Sequence, residues 1–176
     1  MDLKVTNLQN NSDNCIICGV QNLFSLNARF YELSKDVVCT ITQFRDEHQS
    51  YPHRSHGGLI TALLDEVIGR AIQIGHPNIW GVTSTIQVKF RKPVPLNQNV
   101  KCFGRIVRNS TLGFVGVGVI EDEMGELLAT AEATYIKMDL DKIAHEHGML
   151  WDKFPEDRPL KFVKLLNPKA LGFEEK

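Results

Sequence analysis

Residues 56–74 form a segment whose helical pattern is apolar around nearly its whole circumference. Its apolar side chains are Leu59, Ile60, Leu63, Leu64, Val67, Ile68, Ala71, Ile72 and Ile74. A helix that is apolar on all sides is covered by the rest of the chain. The sequence Gly-His-Pro-Asn at 75–78 is a strong signal for its end. The chain must therefore adopt a fold in which other elements surround this one helix.

This helix also carries two adjacent carboxylates, Asp65 and Glu66, although burying an unpaired charge is costly. Glu66 lies four residues before Arg70, so these two side chains can pair along the helix surface. Asp65 has no basic residue three or four positions away. The small residues on its face of the helix are Gly58, Thr61, Ala62 and Gly69. This face leaves room for a second helix or for a ligand, which makes Asp65 the stronger candidate for a functional carboxylate.

The start of the helix is a second candidate feature, because two glycines, Gly57 and Gly58, follow a loop that contains Pro52. We expect Ser55 to be the N-cap. The first amides of a helix have no partner within it and lie at the positive end of the helix dipole. Glycine lets a ligand oxygen that gains negative charge approach these amides. A tight turn that requires glycine explains the same pattern equally simply.

The spacing of the two features has a consequence for assembly. Asp65 lies eight residues after Gly57, which corresponds to about 12 Å along a helix axis. This distance is too long for both groups to contact one reacting carbonyl. If both act on one substrate, we expect a two-fold dimer in which one chain supplies the amide and its partner supplies the carboxylate.

The sequence His-Gly-Gly at 56–58, followed by Leu-Asp-Glu at 64–66 and Gly-Arg at 69–70, resembles the central helix of hotdog-fold acyl-CoA thioesterases. The similarity is to the phenylacetate-pathway (PaaI-like) type and covers most of residues 15 to 138. It implies that Asp65 serves as nucleophile or general base. It also implies that the amide of Gly57 polarises the thioester carbonyl across a dimer interface.

The resemblance suggests further site residues. His56 and Gly58 would lie beside the bound carbonyl, and Thr83 would place a hydroxyl near the site. Glu66 is the second candidate for the catalytic carboxylate. In the family the loop at 45–55 borders the active site and often holds an asparagine that orients water, whereas here Ser50 stands nearest to that place.

Basic residues follow the first strand after the helix. Arg91 and Lys92 are adjacent, and Arg105 and Arg108 lie on the next predicted strand. They are either ordinary surface charges or contacts to the phosphates of coenzyme A. Coenzyme A would enter as part of the substrate, so the sequence predicts no separate cofactor.

The composition narrows the function classes. A net charge of −1 over 176 residues provides no electrostatic basis for binding nucleic acid or an acidic membrane. No apolar run approaches the ~20 residues that span a bilayer. Residues 1–14 are polar and lack a secretion pattern. We therefore expect a cytoplasmic protein whose four cysteines are reduced thiols.

Two of these cysteines, Cys15 and Cys18, form a Cys-x-x-Cys motif. Such a motif can bind zinc or carry out redox chemistry. A zinc site needs two more ligands, which His53 and His56 supply only if the fold brings them close. Redox chemistry is typical of a different, βαβ context. We therefore predict no metal and interpret the motif as thiols at a turn, since the segment resembles the structural lead-in of many hotdog thioesterases.

The remaining pattern predicts six strands around the helix in the order β-β-α-β-β-β-β, joined by short turns that favour antiparallel pairing. The predicted strands cover residues 23–33, 37–44, 80–90, 100–108, 114–121 and 127–138. This α+β order builds the hotdog fold, an antiparallel sheet wrapped around one long helix.

Three segments are expected along the chain. Residues 1–14 are a loosely ordered lead-in, residues 15–138 are the hotdog domain and residues 139–176 are a helical and irregular tail. Within the tail, 141–151 fit a short helix and 160–171 lie along the body or along the partner chain. The tail has no chemical role in this interpretation.

Taken together, these features predict an acyl-CoA thioesterase that works as a homodimer or as a dimer of dimers, a homotetramer. Two other classes stay open. One is a hotdog enoyl-CoA hydratase or dehydratase, which would pair a histidine such as His56 with an acid. The other is a non-catalytic acyl-CoA-binding protein, because a fold alone does not determine function.

Overall fold

The computed structural model describes residues 1–139, 151–152 and 160–174. The long helix is α1 (Gly57–Gly69), and a short 3-10 helix at Arg70–Gln73 continues it. Other 3-10 turns lie at Asp46–His48 and Pro168–Leu171. The strands are β1 (Asp2–Leu8), β2 (Asn11–Ser12), β3 (Tyr31–Leu33), β4 (Val37–Gln43), β5 (Ile79–Phe90), β6 (Asn99–Asn109), β7 (Gly113–Asp122), β8 (Leu127–Asp139), β9 (Trp151–Asp152) and β10 (Phe162–Lys164).

Eight of these strands form one sheet in the order β10-β1-β3-β4-β6-β7-β8-β5. All neighbouring strands in it are antiparallel. The helix α1 packs across the middle of this sheet, mainly against β6 and β7. Its buried side chains are Ile60, Leu63, Leu64, Val67 and Ile68. The predicted hotdog arrangement, an antiparallel sheet around one long helix, is confirmed.

The helix lies very close to the sheet because glycines line the contact. A Cβ atom at Gly104 would lie 2.7 Å from the main-chain oxygen of Val67, and one at Gly116 would lie 2.4 Å from Cγ2 of Ile68. Real side chains do not tolerate such distances, so β6 and β7 can hold α1 at this depth only with glycine at these positions.

The N-terminal part of the chain differs from the prediction. Residues 2–8, expected to be loosely ordered, form β1, which pairs with β3 and β10 at the edge of the sheet. The predicted strand at 23–33 is also wrong over most of its length, since only Tyr31–Leu33 is a strand. The preceding residues instead follow the turn at 15–18, with backbone hydrogen bonds from Leu26 to Ile16 and from Ala28 to Ile17. Because these bonds join distant residues, alternation of side chains does not reveal them.

The five later strands begin and end within one residue of their predicted bounds. In the tail, most of the predicted helix at 141–151 falls outside the described residues, and Trp151 begins β9, which pairs with β2. Residues 160–171 lie along the body: β10 pairs with β1, and Leu165 and Leu171 are buried in a second apolar cluster with Val37 and Phe103. No helix among the described residues is long and apolar enough to cross a membrane.

Candidate active site

Asp65 lies in the middle of α1 and is half-buried against β5 and β8. The hydroxyl of Thr83, on β5, donates a hydrogen bond to Asp65 Oδ1 over 2.8 Å. The hydroxyl of Tyr135, on β8, lies 3.0 Å from the same Oδ1 and 3.0 Å from the main-chain oxygen of Asp65. Both hydroxyls therefore contact one carboxylate oxygen and neither contacts Oδ2. The predicted position of Thr83 beside Asp65 is what the structure has.

Tyr135 was not among the predicted site residues. Its side chain is 1% exposed, and its ring stacks on Phe114 with centroids 4.7 Å apart. Small residues make space for the ring, since a Cβ at Gly69 would lie 3.2 Å from it and one at Gly81 3.0 Å. Burial and the neighbouring Asp65 charge raise the pKa of the Tyr135 phenol, so the hydroxyl stays protonated and acts as a donor.

One signal for Tyr135 does exist in the sequence. The inward-facing positions of β8 are Ala129, Ala131, Ala133 and Tyr135, so a single hydroxyl-bearing aromatic residue ends a row of alanines. Buried tyrosine hydroxyls usually have a hydrogen-bond partner. The sequence does not say that this partner is Asp65, because the two residues are 70 positions apart.

The start of α1 differs from the prediction in its capping residue. The N-cap is His56, whose Nδ1 accepts a hydrogen bond from the amide of Gly58 over 2.9 Å. Ser55, the expected N-cap, instead donates to the main-chain oxygen of Pro95. The carbonyl oxygen of His56 also accepts hydrogen bonds from the amides of Leu59 and Ile60. Within the described part of the chain, the amide of Gly57 donates to no other residue, so it is the amide at this helix start that remains available to a ligand.

A cavity of about 430 Å³ opens beside this helix start. It is lined by Gly57, Arg54 and Phe90 and also includes Arg91 and Lys92. Lys92 also forms an ion pair with Glu126. The volume lies within the range that holds a small ligand. The structure therefore brings the predicted pair Arg91 and Lys92 to the same cavity as Gly57.

Arg105 and Arg108 do not join this cavity. Arg105 lies over the ring of Phe173, 4.3 Å from its centroid, and so helps to hold the tail. Arg108 lines a separate groove of about 700 Å³ with Phe114 and Tyr135. The four basic residues of the neighbouring strands therefore do not form one group: Arg91 and Lys92 share a cavity, and Arg105 and Arg108 lie elsewhere.

A much smaller cavity, about 50 Å³, lies at Asp65. It is lined by Asp65, Thr83 and Tyr135 together with Glu66 and Arg70. Gly57 and Asp65 lie at different cavities of one protomer, and both belong to the same helix. The structure therefore keeps Gly57 and Asp65 apart along α1, as their spacing in the sequence indicates.

The pairing of Glu66 with Arg70 is confirmed, since Arg70 Nε donates to Glu66 Oε1 over 2.8 Å. Arg70 is 3% exposed and also donates to the main-chain oxygen of Asn10 and to Cys18 Sγ. Its guanidinium lies 4.2 Å from the centroid of the Phe30 ring. Glu66 is thus held in an ion pair with the buried Arg70, and Asp65 is the carboxylate of the two that faces hydroxyl donors.

The Cys-x-x-Cys motif lies at a turn on the other side of this network. The potential ligand atoms of Cys15, Cys18 and Glu66 all lie within 4.8 Å of one another, and neither His53 nor His56 belongs to this group. Cys18 Sγ accepts a hydrogen bond from Arg70 Nη2 over 3.2 Å. A guanidinium at this distance repels a bound cation, so the group is poorly suited to a metal ion.

The two thiols differ in acidity. A hydrogen bond from Cys15, and the charge of Arg70, lower the pKa of Cys18 to about 6, although burial opposes this shift. The same hydrogen bond, together with burial, raises the pKa of Cys15. The pair is therefore best described as a thiolate at Cys18 that accepts a hydrogen bond from a thiol at Cys15.

Residues 54–129 match the family model of the thioesterase superfamily. No curated protein matches the sequence significantly. A solved thioesterase superfamily protein has a TM-score of 0.65 and 22% identity over 69% of this chain, and the match spans 59% of that protein.

Two further structures are similar. The E. coli PaaI protein from the phenylacetic acid degradation operon has a TM-score of 0.59 and 12% identity, and the match covers 64% of this chain and 80% of the PaaI chain. A Streptococcus mutans protein bound to acetyl CoA has a TM-score of 0.58 and 22% identity, and the match covers 64% of this chain and 90% of the Streptococcus mutans chain. These likenesses establish the fold. The hotdog fold expected from the sequence is therefore confirmed, and within it residues 54–129 match the thioesterase superfamily model.

Proposed function

We propose that this protein is an acyl-CoA thioesterase of the PaaI-like type, which hydrolyses a thioester to a free acid and coenzyme A. The observation that carries the proposal is the carboxylate of Asp65. Two hydroxyls hold its Oδ1, and this arrangement orients Oδ2 for reaction. A carboxylate that is oriented in this way suits a nucleophile or a general base.

The proposed reaction begins with the thioester carbonyl oxygen bound to the amide of Gly57, with His56 and Gly58 forming the adjacent turn. This amide lies at the positive end of α1 and stabilises the negative charge that the oxygen gains. Asp65 Oδ2 then attacks the carbonyl carbon or takes a proton from a water molecule that attacks it. The carbon–sulfur bond breaks, and coenzyme A leaves as the thiolate. Where Asp65 itself attacks, water then hydrolyses the acyl–Asp65 anhydride, which releases the free acid and restores the carboxylate.

The two groups come from different subunits in this proposal. Among the strands of the described residues, β5 lies at the end of the sheet: it pairs with β8 on one side, and its other edge, twelve residues long, has no neighbouring strand. Val82, on this strand, is 42% exposed. A long exposed edge strand is a template for pairing with another chain. We infer that two copies of β5 pair to form a homodimer, alone or within a tetramer, and that the pairing brings Gly57 of one chain to Asp65 of the other.

The coenzyme A portion is assigned to the cavity at the helix start. Arg54, Arg91 and Lys92 line it beside Gly57, and basic side chains suit phosphate groups. The similar Streptococcus mutans protein was solved with acetyl CoA. In the cytoplasm, the location expected from the sequence, the protein would meet coenzyme A esters. The proposed reaction needs no separate cofactor.

The test is hydrolysis of short, medium, long and aryl acyl-CoA esters, measured by thiol release, with the Asp65→Asn variant beside the wild type. Asparagine keeps the size and the hydrogen bonds of the side chain but removes its charge. We expect the variant to lose about 10²–10⁴-fold in kcat/KM while keeping the melting temperature and size of the wild type. Full activity in the variant would contradict the role of Asp65.

The same panel separates the remaining classes. Conversion of crotonyl-CoA without thiol release would indicate a hydratase and would contradict the proposed reaction. Absence of any turnover, with acyl-CoA esters still raising the melting temperature, would identify a binding protein instead.

A further inference from the structure

The turn that holds Cys15 and Cys18 places two sulfur atoms side by side. The amide of Gly19 donates to the main-chain oxygen of Cys15 over 2.8 Å, which closes the turn. The amide of Ile17 donates to Cys15 Sγ over 3.3 Å. Both sulfurs and a carboxylate oxygen of Glu66 lie within 4.8 Å of one another. Closing the sulfur pair into a disulfide therefore needs only a local movement of this turn.

The hydrogen bond from Cys15 is the main cause of the lowered pKa of Cys18, and the charge of Arg70 adds to it. The guanidinium of Arg70 is 3% exposed, and it contacts Cys18 Sγ at 3.2 Å. The contact between Cys18 Sγ and Glu66 Oε1 is longer, at 3.9 Å. Because the cation is nearer than the anion, the thiolate form of Cys18 is favoured. A thiolate, rather than a thiol, is the nucleophile in cysteine oxidation.

Cys18 is itself 1% exposed, so a small oxidant has to reach it beside Cys15, which is half-buried, and Glu66, whose side chain is 25% exposed. From this geometry we propose that Cys15 and Cys18 are a reversible redox site, which hydrogen peroxide or a small hydroperoxide converts to a disulfide. This proposal is independent of the thioesterase function.

The proposed reaction has two steps. The Cys18 thiolate attacks one oxygen of hydrogen peroxide, the O–O bond breaks, and the products are Cys18 sulfenic acid and hydroxide. Cys15 then attacks the Cys18 sulfur while Glu66 accepts the Cys15 proton and passes it to the departing hydroxyl; the sulfur–oxygen bond breaks, and that hydroxyl leaves as water. Overall, one thiol, one thiolate and one peroxide give a disulfide, one water and one hydroxide. A dithiol reductant reverses the change through thiol–disulfide exchange.

The other two cysteines serve as internal controls. Cys39 on β4 and Cys102 on β6 are both 0% exposed. They belong to different apolar clusters and so do not face each other. Burial raises the pKa of both thiols. We expect them to stay reduced under conditions that oxidise the first pair.

The first experiment treats the folded protein with a small excess of hydrogen peroxide and then counts thiols and maps disulfides by mass spectrometry. The expected result is the loss of two of the four thiols, a disulfide between Cys15 and Cys18, and full recovery with dithiothreitol. The matched control Cys102→Ser should lose the same two thiols, whereas Cys18→Ser should form no disulfide. Four intact thiols, or a disulfide that includes Cys39 or Cys102, would overturn the proposal.

The second experiment uses Cys15→Ser, which keeps a hydroxyl donor beside Cys18 but cannot form the disulfide. Dimedone should then trap Cys18 sulfenic acid, and the rate of trapping should rise with pH as Cys18 loses its proton, with a midpoint near the pKa of about 6. A midpoint near the ordinary thiol value of 9.0 would show that Cys18 is not a thiolate at neutral pH and would contradict the proposal. If Zn²⁺ added alone bound stoichiometrically and protected both thiols from peroxide, the pair would be a metal site and the redox proposal would be wrong.

Discussion

Tyr135 orients the Asp65 carboxylate from inside the protein. Its hydroxyl bridges Oδ1 and the main-chain oxygen of the same residue, so it ties the side chain of Asp65 to the helix that carries it. Thr83 supports the same oxygen from β5. Two donors on one oxygen restrict the rotation of the carboxylate, and a well-oriented catalytic group reacts faster than a mobile one.

This arrangement leads to a prediction for Tyr135→Phe, which removes one hydroxyl and keeps the ring stacked on Phe114. A hydrogen bond to a charged group contributes about 1.5–3 kcal/mol, so we expect kcat to fall by about 10–100-fold. KM should change little, because the hydroxyl contacts Asp65 rather than the substrate in the proposed reaction. Steady-state kinetics on the best acyl-CoA ester checks this, with Thr83→Val as a parallel variant. A rise in KM with an unchanged kcat would contradict it.

Single-residue predictions succeeded where the relevant contacts are local. The pairing of Glu66 and Arg70 follows from a spacing of four residues in a helix. The N-cap was misassigned to Ser55 because Ser is a common cap, whereas the loop turns one residue later and His56 caps the helix. Tyr135 was missed because only the register of β8 against α1 brings its hydroxyl to Asp65.

At the scale of the elements, the close approach of α1 to the sheet depends on glycines in β6 and β7. The apolar pattern of the helix predicts that it is buried, and the structure confirms this. The pattern does not predict how deep the helix lies. That depth depends on Gly104, Gly116 and Gly118, where a Cβ would lie under 3.0 Å from main-chain or side-chain atoms of α1.

We predict that Gly116→Ala destabilises the protein by about 1–3 kcal/mol, the usual cost of overpacking a core. The added Cβ would lie 2.4 Å from Cγ2 of Ile68 and 3.0 Å from the main-chain oxygen of Arg105, so both the helix and β6 would have to move. Urea denaturation gives the free energy of unfolding. The exposed control Glu132→Ala, on the neighbouring strand β8, should change it by no more than about 0.5 kcal/mol. Equal stability of the two variants would show that α1 adjusts freely.

At the scale of the whole molecule, the proposed site is complete only when two chains meet. Gly57 and Asp65 lie on the same helix but at different cavities of one protomer. A two-fold dimer would place the amide of one chain beside the carboxylate of the other, and would do so twice. This makes the sharing of the site testable by mixing inactive variants.

The variant Gly57→Pro removes the amide of Gly57 and keeps the helix. Proline is favoured at the first helical position, and His56 already has the extended conformation, φ −68° and ψ 128°, that precedes proline. A Cβ at this position would lie 3.5 Å from Phe90, an ordinary contact. We therefore expect a folded and inactive protein.

Mixing Gly57→Pro with Asp65→Asn, after denaturation and refolding together, should restore activity. A mixed dimer contains one site with both native groups and one with neither, so a random mixture should recover about one quarter of the wild-type activity. Each variant refolded alone is the control and should stay inactive. No recovery, with mixed dimers confirmed by a tag on one variant, would show that each site lies within one chain.

The sequence alone determined the buried helix, the five later strands and the positions of Asp65 and Gly57, because these depend on side-chain periodicity and spacing along one element. Only the tertiary structure decided what surrounds them. The contact of Tyr135 with Asp65, the strand β1, and the meeting of Cys18 with Arg70 all join residues far apart in the chain. Such contacts depend on the register of the strands and on the distance between the helix and the sheet. A local sequence pattern determines neither of them.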